Sequence, residues 1–211
     1  MDLNYQKDYW LNFAASEDKD AVSIDLHGSW QKDEKKYKDH SIIDEPALEI
    51  LRANTKMENV LDFGIGMGRN SEYLSSQFGT VFGYDTPPMI ENLGNFRGSF
   101  SNITSNWDDA QKIRYDLILD STVMQHMPPQ EVIHRLYCSS YMSPYLFSIT
   151  RSYNDFLRDF GAKKRGVNMA SLVASLDAFE PVWLSEPLDE MKKRFDETHY
   201  SVLYRSKNFK L

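Results

Sequence analysis

The sequence predicts a layered α/β domain built on a largely parallel sheet. Three observations carry that expectation. The 211 residues are enough for one domain with a substantial core. From residue 44 onward, strand and helix signals alternate at the pitch of repeated strand–helix units. One strand-like run, "VLDFGIGMGRN" at 60–70, passes straight into three alternating glycines, Gly64, Gly66 and Gly68. Such a turn is where open α/β sheets seat a ligand, beyond the carboxyl ends of their strands.

Taken in order, residues 1–43 are polar and irregular but hold Tyr5, Tyr9, Trp10, Phe13 and Trp30. Four of these aromatics, Tyr5, Tyr9, Trp10 and Phe13, are spaced to share one helix face, which either packs on the main body or closes over a cleft as a lid. The main domain is expected over 44–211. In "DEPALEILRAN", Asp44 stands at a capping position, with Glu45 and Pro46 in the first turn of a helix. "ENVLDFG" reads as a strand, "RNSEYLSSQF" as a helix, "TVFGYD" as a strand, and "PPMIENLGNF" opens another helix on its prolines. "YDLILD", "YLFSIT", "PVWLSE" and "HYSVLYRS" read as further strands, with "PPQEVIHRLYCSSY" and "NMASLVASL" as helices.

Composition narrows the function classes. The chain is 41% hydrophobic and 26% charged, as in an ordinary globular protein, and no stretch reaches the roughly 18 apolar residues of a membrane span. The start, "MDLNYQKDYW", lacks the basic and apolar regions of a signal peptide, so a cytoplasmic location is expected. A single cysteine, Cys138, excludes an intramolecular disulfide and cysteine-cluster zinc sites, and no histidine–carboxylate spacing suggests a metal. The net charge of -7 disfavours nucleic acid as a partner, with "AKKRG" at 162–166 the one basic run.

The glycine loop defines its ligand by what it lacks. A dinucleotide fingerprint, G-x-G-x-x-G, fails at Arg69 when counted from Gly64 and meets Ser71 when counted from Gly66. No phosphate-loop motif is present. Asp62 ahead of the loop is unfavourable beside two phosphates and suits a ligand bearing positive charge. S-adenosylmethionine has a sulfonium and an ammonium, and its carboxylate can use the N–H groups of the following helix.

At this point "VLDFGIGMGRN" resembles motif I of the class I S-adenosylmethionine-dependent methyltransferases, an acid followed by G-x-G-x-G. Asp85 in "VFGYDTPPM" stands where that family carries a second acid for the ribose hydroxyls, and Thr86 and Met89 follow it toward the adenosine pocket. The resemblance implies a Rossmann-like methyltransferase fold: a mostly parallel seven-stranded sheet, helices on both faces, and an antiparallel last strand in "HYSVLYRS". It covers roughly residues 45–206. It assigns Asp62, Gly64, Gly66, Gly68, Asp85 and Thr86 to the cofactor, with Asn106, Trp107 and Asp108 in "NITSNWDDA" as candidates for the adenine contact. "YDLILDSTVMQHMPPQEV" is similar to the family's fourth strand, opened by Asp116. That stretch adds Asp120 to the cofactor set and places His126 as the candidate base, since imidazole transfers protons near neutral pH. The alternative role for His126 is to fix the loop under the cofactor.

Substrate contacts implied by the resemblance fall on Tyr9, Trp10 and Trp30, then on Arg151 and Tyr153 after the fifth strand. The sequence departs from the family in one turn: "YCSSYMSPYLF" replaces the leucine, proline and two glycines that often precede the fifth strand. No N/D-P-P-Y/F motif follows the fourth strand, which separates the chain from the amino methyltransferases of adenine, cytosine and glutamine. The expected activity is methyl transfer from S-adenosylmethionine to oxygen or nitrogen of a small-molecule acceptor. The rival expectations are a cofactor-binding regulatory or scaffold protein that no longer methylates and, failing at Arg69 and Asp62, a nicotinamide-dependent oxidoreductase.

Overall fold

The structure is a computed structural model, and its described residues are 42–66, 68, 70–92, 100–121, 123–124, 127–151, 169–186 and 199–210. Along the chain run α1 (Glu45–Asn54), β1 (Asn59–Phe63), α2 (Ser71–Gln77), β2 (Thr80–Tyr84), α3 (Pro87–Asn92), β3 (Asn102–Thr104) and α4 (Trp107–Ala110). Next come β4 (Leu117–Ser121), α5 (Pro129–Met142), β5 (Tyr145–Arg151), α6 (Met169–Leu176), β6 (Phe179–Leu184) and β7 (His199–Ser206). Of the expected lid segment, 1–43, only residues 42 and 43 are among the described residues.

All seven strands form one sheet in the order β3-β2-β1-β4-β5-β7-β6. The first five pair in parallel; β7 runs antiparallel to both β5 and β6. This is the Rossmann-like methyltransferase arrangement expected from the resemblance. The order reverses between β1 and β4, so the crevice lies at the carboxyl ends of those two strands.

Central parallel strands are covered on both faces, which is why "NVLDF" and "LILDS" read as continuous apolar runs broken by one buried acid each. On one face, Val60, Leu117, Leu119 and Phe147 meet Ala47, Leu48 and Leu51 of α1 and Leu74 of α2. On the other, Leu61, Phe63, Ile118 and Leu146 meet Trp107 of α4, Val132 and Leu136 of α5, and Val173 of α6. Burying each of these aliphatic side chains contributes about 1.5–3 kcal/mol relative to exposure.

The helix starts follow the prolines more than the caps. Proline occupies the first turn of both α1 and α5, where its missing N–H costs no hydrogen bond. Asp44 takes the cap position of α1, but its side chain makes no capping bond. Arg52 instead pairs with Glu45 at 2.6 Å across α1, on an exposed face. At the opposite end of the sheet from the crevice, Asp116 fixes the strand starts: its Oδ2 accepts from the N–H groups of Glu58 (2.6 Å) and Asn59 (2.9 Å). β6 is an edge strand, bonded to β7 alone, and carries a register irregularity between Pro181 and Trp183. An edge is where a proline in a strand is tolerated, since it has no donor for a second neighbour.

Candidate cofactor site at the β1–β4 switch point

The loop after β1 is shaped by its glycines. Gly64, Gly66 and Gly68 have φ of 82°, 52° and 79°, a region that L side chains rarely adopt. Gly64 and Ile65 turn their N–H groups onto the Tyr84 carbonyl, at 2.8 and 3.2 Å, so the loop is stitched to the end of β2. A Cβ on Gly64 would stand 2.3 Å from Val123 Cγ2, so the turn after β4 closes one side of the loop. Gly66 is different. A Cβ there would meet no atom of the described residues within 4 Å, which leaves its backbone open on one side.

Asp85 sits at the centre of the site, one residue past β2. Its Oδ2 accepts from the Gly66 N–H at 2.9 Å and its Oδ1 from the Thr86 N–H at 2.7 Å. Loss of solvent pushes its carboxyl from 3.8 up to about 6, despite the backbone donors that pull it down. A carboxylate has about four acceptor positions, and the Thr86 side chain also bonds to this one, so acceptor capacity remains beyond the protein's own donors.

Asp62 lies in a different place from the one its sequence position suggested. It is fully buried, and its Oδ1 accepts from Asn70 Nδ2 at 3.2 Å. The strand alternation explains this: Asp62 shares a face with Val60, under α1 and α2, so its side chain lies beneath the loop rather than at its mouth. Asn70 precedes α2 and makes no side-chain cap; its amide turns to Asp62 instead.

Asp120, at the end of β4, is likewise engaged within the protein. Its Oδ1 accepts from the N–H groups of Val123 and Met124, both at 3.0 Å, and its Oδ2 from the Ser148 hydroxyl at 2.8 Å. Asp120 and Ser148 are register partners on β4 and β5. Burial raises its carboxyl above the usual range. Asp120 thus holds the turn that in turn presses Val123 against Gly64.

Beyond β3, Asn106 is exposed and caps α4, accepting from the Asp108 N–H at 3.0 Å. Trp107 is buried, edge-on to Phe63 (5.6 Å) and Tyr84 (5.2 Å), so its ring belongs to the core beneath the site. Asp108 is exposed, bonded to Gln111. Met89, in α3, is buried. Glycine loop, Asp85, Thr86 and Asn106 therefore gather at the carboxyl end of the sheet, while Asp62, Asp120 and Trp107 support them from within.

His126, Tyr9, Trp10, Trp30 and Tyr153 lie outside the described residues. Arg151 ends β5 opposite His199 in β7, at the same sheet end, and its side chain is outside the described set. Among the described residues no group of three His, Cys, Asp or Glu stands together, and no helix is long and apolar enough to cross a membrane. Three contributors had no signal in the sequence: Asn70 behind Asp62, Ser148 behind Asp120, and the Tyr84 carbonyl that anchors the loop.

These residues fit an adenosine-bearing cofactor. The open side of Gly66 admits close approach, and Asp85 is a carboxylate at the loop that can accept from a vicinal diol, with the Thr86 side chain as a further donor to it. Asn106 presents an exposed amide where a flat heterocycle edge can be bonded.

No family model matches the sequence. A curated relative, the uncharacterized protein YmfD of Escherichia coli (strain K12), is 29% identical over 133 residues. The match covers 56% of this chain and 60% of that protein's length. Among solved structures, N-methyltransferase NodS from Bradyrhizobium japonicum WM9, in complex with S-adenosyl-L-homocysteine, superposes with a TM-score of 0.65 at 15% identity, over 97% of this chain and 99% of that one. Magnesium protoporphyrin IX methyltransferase (ChlM) from Synechocystis PCC 6803, with bound S-adenosylmethionine, gives 0.53 at 15% identity over 91% and 99%. TehB from Haemophilus influenzae gives 0.58 at 18% identity over 83% and 66%. The seven-stranded sheet with β7 inserted antiparallel between β5 and β6 is thus the fold of the class I methyltransferases.

Proposed function

We propose that the protein is a methyltransferase that moves a methyl group from S-adenosylmethionine to an oxygen or nitrogen of a small molecule. The observation that carries this reading is the bond from the Gly66 N–H to Asp85. It joins the loop that a ligand backbone can approach to the acid that can hold a diol, in one site at the switch point.

In this reading Asp85 accepts both ribose hydroxyls on the acceptor positions left beside the Gly66 and Thr86 N–H bonds. Gly66 gives the methionine half room at the loop, and Gly64 and Gly68 supply the turns around it. Asn106 bonds the adenine edge. Asp62, through Asn70, and Asp120, through Val123, hold the loop in shape. Bound S-adenosylmethionine supplies an activated methyl group that needs little from the protein except positioning. His126 is the candidate to take the acceptor's proton, and Tyr9, Trp10, Trp30, Arg151 and Tyr153 are the candidates to grip the acceptor, Arg151 through a carboxylate or phosphate. One neighbour is named for the small molecule magnesium protoporphyrin IX and another as an N-methyltransferase, which supports the acceptor class.

Isothermal titration with S-adenosylmethionine and S-adenosylhomocysteine, on the protein and on Asp85→Ala, tests the donor site. Binding lost in a folded Asp85→Ala is the expected result; a folded protein that binds neither overturns the reading. Binding followed by no methyl transfer to any member of a broad acceptor panel favours the regulatory alternative.

A further inference from the structure

Beneath the site, on the α5 side of the sheet, one cation is held among aromatic rings. The guanidinium carbon of Arg135 lies 4.6 Å from the centre of the Trp107 ring and 5.5 Å from that of Tyr84. Its Nη2 donates to the Tyr84 hydroxyl at 3.3 Å. The rings are themselves packed together, Tyr84 stacked on Phe63 at 5.1 Å and Trp107 edge-on to both. A planar guanidinium over the negative faces of two rings is attracted to both.

The position of those rings gives the contact its meaning. Tyr84 directly precedes Asp85, and Trp107 directly follows Asn106. The Tyr84 carbonyl also receives the N–H groups of Gly64 and Ile65. Arg135, projecting from α5, therefore links the end of β2 and the start of α4, the two places from which the site reaches the ribose and the adenine.

Packing alone does not explain a guanidinium here. Among the described residues, neither Arg135 Nε nor Trp107 Nε1, both buried, has an acceptor, and a buried donor left unpaired costs stability. An unbranched apolar side chain would fill much of the same space with no unpaired donor of its own. Such local violations are characteristic of functional sites. We infer that Arg135 is a positioning residue for the adenosine half of the cofactor, fixing the separation of Asp85 and Asn106; this rests on the methyltransferase reading above.

The test uses Arg135→Met, Arg135→Lys and Tyr84→Phe, titrated with S-adenosylhomocysteine and with adenosine well below every melting temperature. Arg135→Met is expected to raise Kd for both probes about tenfold, since small misplacements of binding groups are costly, with Tm unchanged or higher. Arg135→Lys does not restore affinity, because a compact ammonium cannot reach both rings and the Tyr84 hydroxyl as the broader guanidinium does. Tyr84→Phe, which removes only the hydroxyl, raises Kd about threefold, the loss of one modest hydrogen bond. A lower Tm with wild-type Kd marks a structural role and overturns the inference while the methyltransferase reading stands. If Arg135→Met does not fold, an unchanged Kd in Tyr84→Phe overturns it equally. A wild-type protein that binds neither probe overturns both.

Discussion

Alanine at Gly64 and at Gly66 separates folding from ligand approach within one loop. Both positions have positive φ, 82° and 52°, where an L side chain costs about 1–2 kcal/mol. At Gly64 the new methyl would stand 2.3, 2.7 and 2.9 Å from Val123 Cγ2, Cγ1 and Cβ. Val123 sits in the turn that Asp120 holds by two hydrogen bonds, so its retreat is opposed and overpacking adds about 1–3 kcal/mol. Gly64→Ala is therefore expected to destabilise by about 2–5 kcal/mol, read from urea unfolding. At Gly66 the methyl meets no atom of the described residues within 4 Å, so only the backbone cost of about 1 kcal/mol applies. In the proposed reading that methyl stands on the side open to the cofactor, and S-adenosylmethionine affinity is expected to fall about tenfold or more. Combining Gly64→Ala with Val123→Ala removes the two nearest contacts and should return about 1–2 kcal/mol, leaving the Cβ contact and the strain in φ. The reasoning is refuted if Gly64→Ala costs no more than Gly66→Ala, or if Val123→Ala brings no recovery.

Two further outcomes follow from Asp120 and Asp85. Asp120→Asn keeps an acceptor for Val123 and Met124 and offers Ser148 a donor, so its stability should stay within about 1 kcal/mol of wild type, whereas Asp120→Ala strands those N–H groups and costs about 2–4 kcal/mol in denaturant melts. Unchanged S-adenosylmethionine affinity in Asp120→Asn would place that acid in a supporting role, and a large loss would place it against the cofactor. Asp85, raised from 3.8 to about 6, makes the folded state the better proton binder across that interval. Its contribution to the stability of the ligand-free protein is thus fully present below about 3.8 and lost as pH rises through about 6. If Asp85 holds the ribose diol as proposed, cofactor affinity runs the other way, since an ionised carboxylate is the better acceptor. It should climb between pH 5 and 7, and a flat titration profile in wild type would count against the role of Asp85.

Much of this architecture was legible in the chain because parallel strands are apolar runs ended by glycine or acid. "ENVLDFG" and "TVFGYD" gave clear signals for that reason, and "YLFSIT" did so by its apolar run alone. β3 was not readable as a strand, since three residues of mixed polarity, Asn102–Thr104, carry no period. Asp85 was legible by its place after β2, and the structure adds what sequence cannot: its bond to Gly66, nineteen residues away. Asp62 was located correctly on the strand but not by face, although the alternation with Val60 held that information. Asp120 depends on Ser148, a pairing fixed by the β4–β5 register, and Arg135 depends on a helix packing across two strand ends. Neither relation has a local pattern in the chain.

The placing of β7 between β5 and β6 also makes β6 dependent on β7. β6 is synthesised first, yet among the described residues β7 is its one hydrogen-bonded neighbour, so β6 joins the sheet only together with β7 or after it. Docking of β7 on β5 closes a loop from Arg151 to His199, and the entropy of such a closure grows only slowly with its length. Until then Phe179, Val182 and Trp183 have no sheet to pack on, and the nascent chain carries them as an unpaired, sticky segment. Pro181 in the middle of that segment blunts it as a template for other chains. The same residue that marks the finished sheet's outer edge thus protects the protein during the interval when the edge does not yet exist.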